Sequence, residues 1–214
     1  AESYGAQSYD VLTGFKYIGE KIKEFERTGE SYVFGGEESY GYLVETEVRD
    51  KDAVSAAVIT AEMALYDRER GMSLLDHLKD IYKRFGYFEE ILISKTFKGQ
   101  EGVEKIKGLM SGLREKPPVS IGSSKVAQVK DYKLSKTTDV ASGSTSKIEL
   151  PESNVLQFVL ESGTVVTARP SGTEPKIKFY ASCRAEKDMN LDEASKSVKT
   201  ELEKISSDIE DICG

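Results

Sequence analysis

The sequence predicts two domains, a mainly helical one with a single strand over residues 1–86 and an α+β domain over residues 87–214. Two observations carry this prediction. The first part contains helical patterns and one short apolar run, whereas the second interleaves strand patterns with two amphipathic helices. Acidic charge is also concentrated in the first part, with 17 acidic against 11 basic residues, compared with 20 against 19 in the second. Any anion-binding site is therefore expected in the second domain.

Composition excludes several classes of protein. Apolar residues make up 38% and charged residues 31% of the 214 positions, which is typical of a folding chain. The net charge of −7 argues against a dedicated nucleic-acid-binding protein, and no apolar run approaches the roughly 20 residues of a membrane helix. One His and two Cys are too few for a Cys/His zinc site or a disulfide framework, and the N-terminus has no signal-peptide pattern. We expect a cytoplasmic protein with neither nucleic acid nor membrane as a partner.

Helices dominate the first domain. Thr13 is predicted to cap a helix that runs through Phe25, and a strand is predicted over Ser31–Phe34, directly before two glycines. Asp52 is predicted to cap a second helix, whose apolar residues recur on one face. A third helix is predicted over Ser73–Phe85 and is closed by a glycine.

The second domain is predicted to begin with a strand over Phe88–Phe97 and a helix over residues 101–114, which a Lys-Pro-Pro sequence ends. Residues 135–147 are rich in Ser, Thr and Gly and are predicted to form a mobile surface loop. An antiparallel hairpin is predicted where strands over Asn154–Leu160 and Thr164–Ala168 flank a Glu-Ser-Gly turn.

The clearest patterns lie near the end of the chain. Lys176–Arg184 alternates between polar and apolar residues, as a strand with one buried face does. Cys183 belongs to the apolar face and is expected to be an unreactive core residue. Asn190 begins a capping pattern before a long amphipathic helix. His77 is expected on the surface of a helix.

Between the last two strands, residues 169–176 read R-P-S-G-T-E-P-K and have the components of a phosphate-binding loop. Arg169 offers a rigid fork of donors that suits a tetrahedral dianion, and Ser171 and Thr173 add hydroxyl groups. Gly172 lets backbone N–H groups approach a ligand, and two lysines of the next strand add positive charge. An ordinary turn between strands uses similar residue types, so the residues alone leave both interpretations open.

Two further segments have groups that could contact a sugar phosphate. In G-E-E-S-Y-G, residues 36–41, the carboxylate of Glu37 and the hydroxyl of Ser39 could bind vicinal sugar hydroxyls. In L-T-G-F-K, residues 12–16, a helix N-terminus beside a lysine could meet an anion. The alternatives are a solvated acidic turn and a plain helix cap, and without further information these alternatives are favoured.

Taken together, the three segments resemble the α-D-phosphohexomutases, and are most similar to bacterial phosphoglucomutase/phosphomannomutase sequences. R-P-S-G-T-E-P-K-I-K resembles their phosphate-binding loop, G-E-E-S-Y-G their sugar-binding loop, and L-T-G-F-K-Y-I-G the helix start of their third domain. The resemblance implies that residues 1–86 are an N-terminally truncated α/β domain 3 that binds sugar. Residues 87–214 would then be the phosphate-binding domain 4, an α+β domain with helices packed on an antiparallel sheet.

The resemblance also assigns roles to residues of this sequence. Those implied to hold the phosphate that is not being transferred are Arg169, Ser171, Gly172, Thr173 and Lys176. Those implied to contact the sugar are Glu37, Ser39, Thr13, Gly14 and Lys16. No catalytic residue and no metal ligand is implied within this chain.

The activity implied is that of an isomerase which interconverts hexose 1-phosphate and hexose 6-phosphate through a phosphoserine and a 1,6-bisphosphate. Its cofactors would be Mg²⁺ and glucose 1,6-bisphosphate, the latter as intermediate and activator. The family's Ser-His-Asn loop is missing, since the only histidine is His77, and Asp50-Lys51-Asp52 lacks the third Asp and the Arg of the D-x-D-x-D-R metal loop.

We therefore expect the C-terminal part of a longer enzyme, inactive alone, that binds hexose phosphates and lacks domains 1 and 2 of the same polypeptide. A stand-alone sugar-phosphate-binding module and a fragment of a phosphoglucosamine mutase are the alternatives.

Overall fold

The computed structural model describes residues 1–172, 174–186 and 189–214. Its internal contacts divide the chain into two compact units, residues 1–78 and 79–214. The domain boundary predicted after residue 86 stays a prediction. In the described ranges, no helix combines the length and the apolar character that crossing a membrane requires.

The first unit begins with a short 3₁₀ turn and continues into helix α1 (Phe15–Thr28). A hairpin of two very short strands follows, β1 (Gly35–Gly36) and β2 (Tyr42–Leu43). Leu43 of β2 is fully buried against the apolar face of α1, to which Ile18 and Ile22 belong. This small cluster holds the hairpin against the helix.

Two predictions for this region were wrong. Gly14, with φ of 125°, occupies the N-cap position of α1 in place of Thr13, and no side chain caps the helix. The strand expected over Ser31–Phe34 does not form, and pairing begins only at the glycines that follow it. Val33 and Phe34 are 67% and 56% exposed, and within this run only Tyr32 packs against the core of the unit.

The next two helices are α2 (Ala53–Glu69) and α3 (Leu74–Phe85). The predicted cap of α2 is confirmed, because the Asp52 carboxylate accepts hydrogen bonds from two backbone N–H groups of the first turn. His77 lies on α3 with its side chain 30% exposed, and its Nδ1 lies 2.9 Å from a carboxylate oxygen of the buried Asp67.

The second unit is built on an antiparallel sheet in the order β3-β10-β9-β8-β5-β6-β7, with β4 paired to β5. Its strands are β3 (Phe88–Thr96), β4 (Ser120–Ile121), β5 (Ser124–Asp131), β6 (Lys136–Asp139), β7 (Thr145–Lys147), β8 (Leu156–Leu160), β9 (Val165–Pro170) and β10 (Lys176–Arg184). Helix α4 (Gly99–Glu115) lies between β3 and β4 in the chain, and α5 (Leu191–Cys213) ends it.

Both helices contribute buried residues to the same core as the sheet. The alternation predicted for β10 is confirmed, since Ile177, Phe179, Ala181 and Cys183 are all at most 2% exposed. The polar residues between them lie on the opposite face of the sheet. The cap of α5 is also as predicted, with Asn190 Oδ1 accepting from the N–H of Glu193 at 3.0 Å.

The prediction of a mobile loop over residues 135–147 was wrong, because these residues form most of the β6–β7 hairpin. Threonine suits an exposed strand, and Asp139 closes the turn by accepting the N–H of Ser142 at 2.9 Å. The strand β5 was not predicted. The strands over Phe88–Phe97, Asn154–Leu160 and Thr164–Ala168 are confirmed to within two residues at each end.

Candidate functional site

The predicted phosphate-binding loop connects β9 to β10 and is closed by backbone hydrogen bonds. The Ser171 N–H donates to the Lys176 carbonyl at 2.8 Å, which continues the ladder of the two strands into the loop. Ser171 Oγ in turn accepts the N–H of Glu174 at 3.3 Å. The Pro175 carbonyl accepts the N–H of Phe97 at 2.9 Å, which ties the loop to the end of β3. The loop is thereby held at the ends of β9 and β10 and is also tied to the end of the neighbouring strand β3.

Gly172 is the exposed tip of this loop. No atom lies within 4 Å of the position that a Cβ would take there, so a ligand could approach its backbone. Thr173, the next predicted site residue, lies outside the residues that the structure describes. Lys176 is half-buried at the first position of β10, so it belongs both to the loop and to the strand.

Arg169 lies on the sheet face that the helices leave uncovered. Its neighbour Ala168 is fully buried in the core, so the alternation of β9 directs Arg169 to the opposite face. Lys178 of β10 lies directly across from it in the strand register. Residues paired in this way have Cα atoms about 4.5–5.5 Å apart, and like charges so placed repel each other.

No carboxylate neutralises this pair within the described part of the chain, where neither Arg169 nor Lys178 takes part in an ion pair. Two cations on one face, beside an open glycine-containing loop, form an arrangement that favours a bound dianion.

The predicted sugar-contacting loop lies in the first unit, between β1 and β2. The Glu37 N–H donates to the Gly41 carbonyl at 2.9 Å, and the Tyr40 N–H donates to the Glu37 carbonyl at 3.2 Å. Tyr40 takes a left-handed conformation with φ of 64°, which closes the turn. Ser39 is exposed at the tip and Glu37 is half-buried at the base, so both side chains of the predicted pair belong to one tight turn.

Lys51 contacts two of the predicted segments, and the sequence analysis did not predict it as a site residue. Its side chain packs on Gly41, where an added Cβ would lie 2.8 Å from Lys51 Cδ and 3.0 Å from Glu37 Oε2. Its Nζ lies 5.5 Å from the ring centroid of Phe15, within the range of a cation–π contact. The Lys51 side chain thus contacts the G-E-E-S-Y-G turn through its methylene groups, and its ammonium group faces Phe15 at the start of α1.

The other residues predicted in this region lie at the start of α1. Thr13 and Lys16 are exposed, Gly14 is half-buried, and the buried Phe15 anchors the segment to the core of the unit. Lys16 Nζ lies 4.6 Å from the ring centroid of Tyr17, one residue along the helix.

Tyr32 packs against both strands of the β1–β2 hairpin. Its hydroxyl donates to the carbonyl of Leu43 at 2.9 Å, and burial, with a smaller contribution from Glu45, raises its pKa to about 12. A Cβ on Gly35 would lie 2.5 Å from this hydroxyl and 2.8 Å from Ile18 Cγ2. The glycine at this position is therefore required for close packing of the hairpin on α1.

Asp50 and Asp52, the nearest match to the family's metal loop, are engaged in local hydrogen bonds and do not fit a magnesium site. Asp52 uses both carboxylate oxygens to cap α2, accepting from the N–H groups of Val54 at 2.9 Å and Ser55 at 3.0 Å. One oxygen of Asp50 accepts from the N–H and the Nζ of Lys51. Among the described residues there is no group of three His, Cys, Asp or Glu side chains that could hold a metal ion.

Both parts of the chain match known protein families. The family "Phosphoglucomutase/phosphomannomutase, alpha/beta/alpha domain III" matches residues 1–85, and "Phosphoglucomutase/phosphomannomutase, C-terminal domain" matches residues 120–204. Together the two matches cover more than half of the chain. They confirm the fold class predicted from the sequence, an α/β domain followed by an α+β domain.

Curated relatives give the same result. A phosphoglucomutase of Staphylococcus saprophyticus is 36% identical over 194 residues, which is 90% of this chain and 34% of that protein. A phosphoglucomutase of Staphylococcus aureus is 40% identical over 175 residues, covering 82% of this chain and 31% of that protein. The chain therefore spans about a third of the length of the curated relatives that it matches.

Among solved structures, the chain is similar to the open form of the exocytosis-sensitive phosphoprotein pp63/parafusin, a phosphoglucomutase from Paramecium. The TM-score is 0.62 at 16% identity, and the match covers 99% of this chain and 35% of that one. At this identity the likeness concerns the fold.

Proposed function

The chain belongs to the phosphoglucomutase/phosphomannomutase family, and from this premise we propose that it supplies the sugar- and phosphate-binding domains of a phosphohexomutase. In the whole protein, a phosphoserine would exchange its phosphoryl group with a hexose phosphate through a hexose 1,6-bisphosphate. The reaction interconverts hexose 1-phosphate and hexose 6-phosphate in the cytoplasm. The domains of this chain would hold the substrate while that chemistry takes place.

The observation that carries the proposal is the pair formed by Arg169 and Lys178 beside the open tip of the loop at Gly172. A phosphate dianion placed against both cations would replace their mutual repulsion with two attractive contacts. The hydroxyl of Ser171 and backbone N–H groups of the loop would complete the donor set, with Lys176 at its side. Thr173 would contribute a second hydroxyl.

Sugar binding is proposed for the turn in the first unit. Glu37 would accept hydrogen bonds from vicinal sugar hydroxyls and Ser39 would donate or accept one, so the pair tolerates a sugar bound in either direction. Such tolerance suits an intermediate that must present each of its phosphates in turn. Thr13, Gly14 and Lys16 would line the substrate, and Lys51, which touches both segments, would add a positive charge.

Phosphoryl transfer itself needs a nucleophile and a metal ion, which we expect other domains of the whole protein to supply. The only histidine of this chain, His77, is hydrogen-bonded to Asp67 and has no Ser-His-Asn sequence around it. Mg²⁺ would stabilise the transferring phosphoryl group from elsewhere in the whole protein, because Asp50 and Asp52 do not form a site for it. The contribution of this chain is therefore binding and orientation, which can supply a large share of a rate enhancement.

Isothermal titration of the 214-residue chain with glucose 1,6-bisphosphate tests the binding role. Arg169→Ala removes a charged donor worth about 1.5–3 kcal/mol, so its affinity should fall roughly tenfold to hundredfold. Lys199→Ala, which removes an exposed cation on α5, is the matched control and should bind as the wild type does. Equal affinities for Arg169→Ala and the wild type would refute the assignment of the loop.

A second measurement tests the expectation that the chain is inactive alone. Glucose 1-phosphate is incubated with the chain, Mg²⁺ and glucose 1,6-bisphosphate, and glucose 6-phosphate formation is followed. We expect no turnover above the background, whereas turnover that scales with protein concentration would contradict the proposal.

A further inference from the structure

A cleft of about 780 Å³ opens at the end of the second unit that is opposite to the phosphate-binding loop. It lies where α3 ends, β3 begins, β10 ends and α5 begins. The phosphate-binding loop lies at the Lys176 end of β10, whereas Arg184 at the other end of this strand lines the cleft. At about 3.3 Å per residue the two places are about 26 Å apart, so the cleft is a separate site.

Aromatic side chains form much of the cleft wall. Tyr82 and Tyr87 pack against each other with ring centroids 4.7 Å apart. The hydroxyl of Tyr87 is fixed by hydrogen bonds to Glu89 at 2.7 Å and Ser195 at 3.2 Å. Phe88 is 44% exposed at the start of β3, which is a large open surface for a phenyl ring. A flat, apolar group could cover this ring.

Arg184 is the cation nearest in register to that ring, since the two residues are direct partners across β3 and β10. Its guanidinium lies on Gly163, where a Cβ would be 3.0 Å from Nε and 3.2 Å from Cζ. The glycine therefore lets the guanidinium rest on the backbone of the β8–β9 turn. Within the described part of the chain, Arg184 takes part in no ion pair.

The charge of the cleft is positive. Among the lining residues that the structure describes, Lys83, Arg84 and Arg184 are cationic and Glu186 is the one carboxylate. Arg84 already interacts with Asp80 at 3.7 Å and with the ring of Phe85. Lys83 and Arg184 are thus the cations best placed to receive a ligand's negative charge.

From this combination we propose that the cleft binds a nucleoside phosphate, with the base against Phe88 and the phosphate on Arg184 and Lys83. A base is flat and apolar on its faces, and a phosphate matches a guanidinium in charge and geometry. The volume is within the range of about 300–1,000 Å³ that is usual for small-molecule sites. A sugar phosphate would leave the exposed ring of Phe88 without a stacking partner.

The probe is ADP carrying an N-methylanthraniloyl label, whose fluorescence anisotropy is followed as the 214-residue chain is added and unlabelled ADP then competes. We expect saturable binding that ADP reverses. Arg184→Ala and Lys83→Ala should each weaken it about tenfold or more, since each removes a hydrogen bond to a charged group. Phe88→Leu should weaken ADP binding, and inorganic phosphate should compete with the probe equally well in Phe88→Leu and in the wild type.

Two controls separate this site from the phosphate-binding loop. Arg169→Ala and Lys199→Ala should bind the probe as the wild type does. Absence of saturable binding, or equal binding by wild type, Arg184→Ala and Lys83→Ala, would overturn the proposal. Loss of probe binding by Arg169→Ala would overturn the proposal as well, because the nucleotide would then occupy the phosphate-binding loop.

Discussion

Gly122→Ala should strongly destabilise the second unit, because both the conformation and the close packing of the turn between β4 and β5 require a residue without a Cβ. Gly122 has a left-handed φ of 60°, and its N–H donates to Asp208 Oδ2 at 2.6 Å. The next N–H, of Ser123, donates to Glu201 Oε1 at 2.7 Å. An added methyl group would collide with this carboxylate and lie 2.8 Å from Cγ1 of Ile205, which is fully buried.

The magnitude follows from these contacts. A left-handed conformation costs an alanine about 1–2 kcal/mol. Displacing Glu201 from the Ser123 N–H removes a hydrogen bond to a charged group, worth about 1.5–3 kcal/mol. Because a carboxylate at the end of a flexible side chain can move aside in part, we expect a loss of about 2–4 kcal/mol in the free energy of unfolding. With a urea m-value of about 2 kcal/mol/M, the midpoint should fall by about 1–2 M.

The two cysteines provide an assay specific to this unit. Cys183 and Cys213 are the only cysteines of the chain, and both are buried in the second unit. Thiol labelling as a function of urea therefore reports unfolding of this unit alone. The matched control is Gly108→Ala in α4, where no atom lies within 4 Å of the new methyl group. This change should stabilise by about 0.5–1 kcal/mol, because alanine favours helix over glycine. Destabilisation by Gly108→Ala, or a midpoint of Gly122→Ala equal to that of the wild type, would refute the reasoning.

Three further predictions concern single side chains. Burial raises the pKa of Cys183, so its thiol in the native chain should react with iodoacetamide at least a hundredfold more slowly than in urea. Hydrogen bonds from the N–H groups of Val54 and Ser55 lower the pKa of Asp52, so its stabilising effect should be lost as the pH falls below about 4. Unfolding followed by circular dichroism should show this loss of stability in the wild type but not in Asp52→Ala. Burial raises the pKa of Tyr32 to about 12, so stability should decline between about pH 10 and 12, and less steeply in Tyr32→Phe.

Elements with one buried face were predictable from the sequence. Lys176–Arg184 alternates without interruption, and the strand has those bounds because every second residue enters the core. The helix after Asn190 was equally clear, since its cap and its apolar spacing are both local features. Local signals of this kind need no knowledge of the partner that covers the element.

Other elements depended on contacts that a linear pattern does not contain. In β5 a register shift between Val126 and Gln128 places buried residues at positions 126, 129 and 131, so the period of two is broken. Thr13 has the right side chain for a cap, but the N-cap is Gly14, whose φ of 125° is one that glycine adopts readily. The β6–β7 hairpin has both faces polar, which resembles a loop in the sequence.

The candidate sites show the same division. The residue types of the phosphate-binding loop were evident at once, whereas the pairing of Arg169 with Lys178 follows from the strand register. No site role was predicted for Lys51, because its contacts with Gly41 and Phe15 join segments that are far apart in the chain. The strand register therefore paired two cations that the sequence had already placed near the loop, and long-range packing revealed Lys51, which the motifs did not identify.

The most direct test of the central claim, that Arg169 and Lys178 hold one phosphate together, is a double-mutant cycle on the binding of glucose 1,6-bisphosphate. Affinities are measured by titration for the wild type, Arg169→Ala, Lys178→Ala and the double variant. Two groups that share one dianion should be coupled, so the double variant should lose less affinity than the two single losses combined, by about 0.5–3 kcal/mol. Strictly additive losses, or an unchanged affinity in either single variant, would contradict the claim.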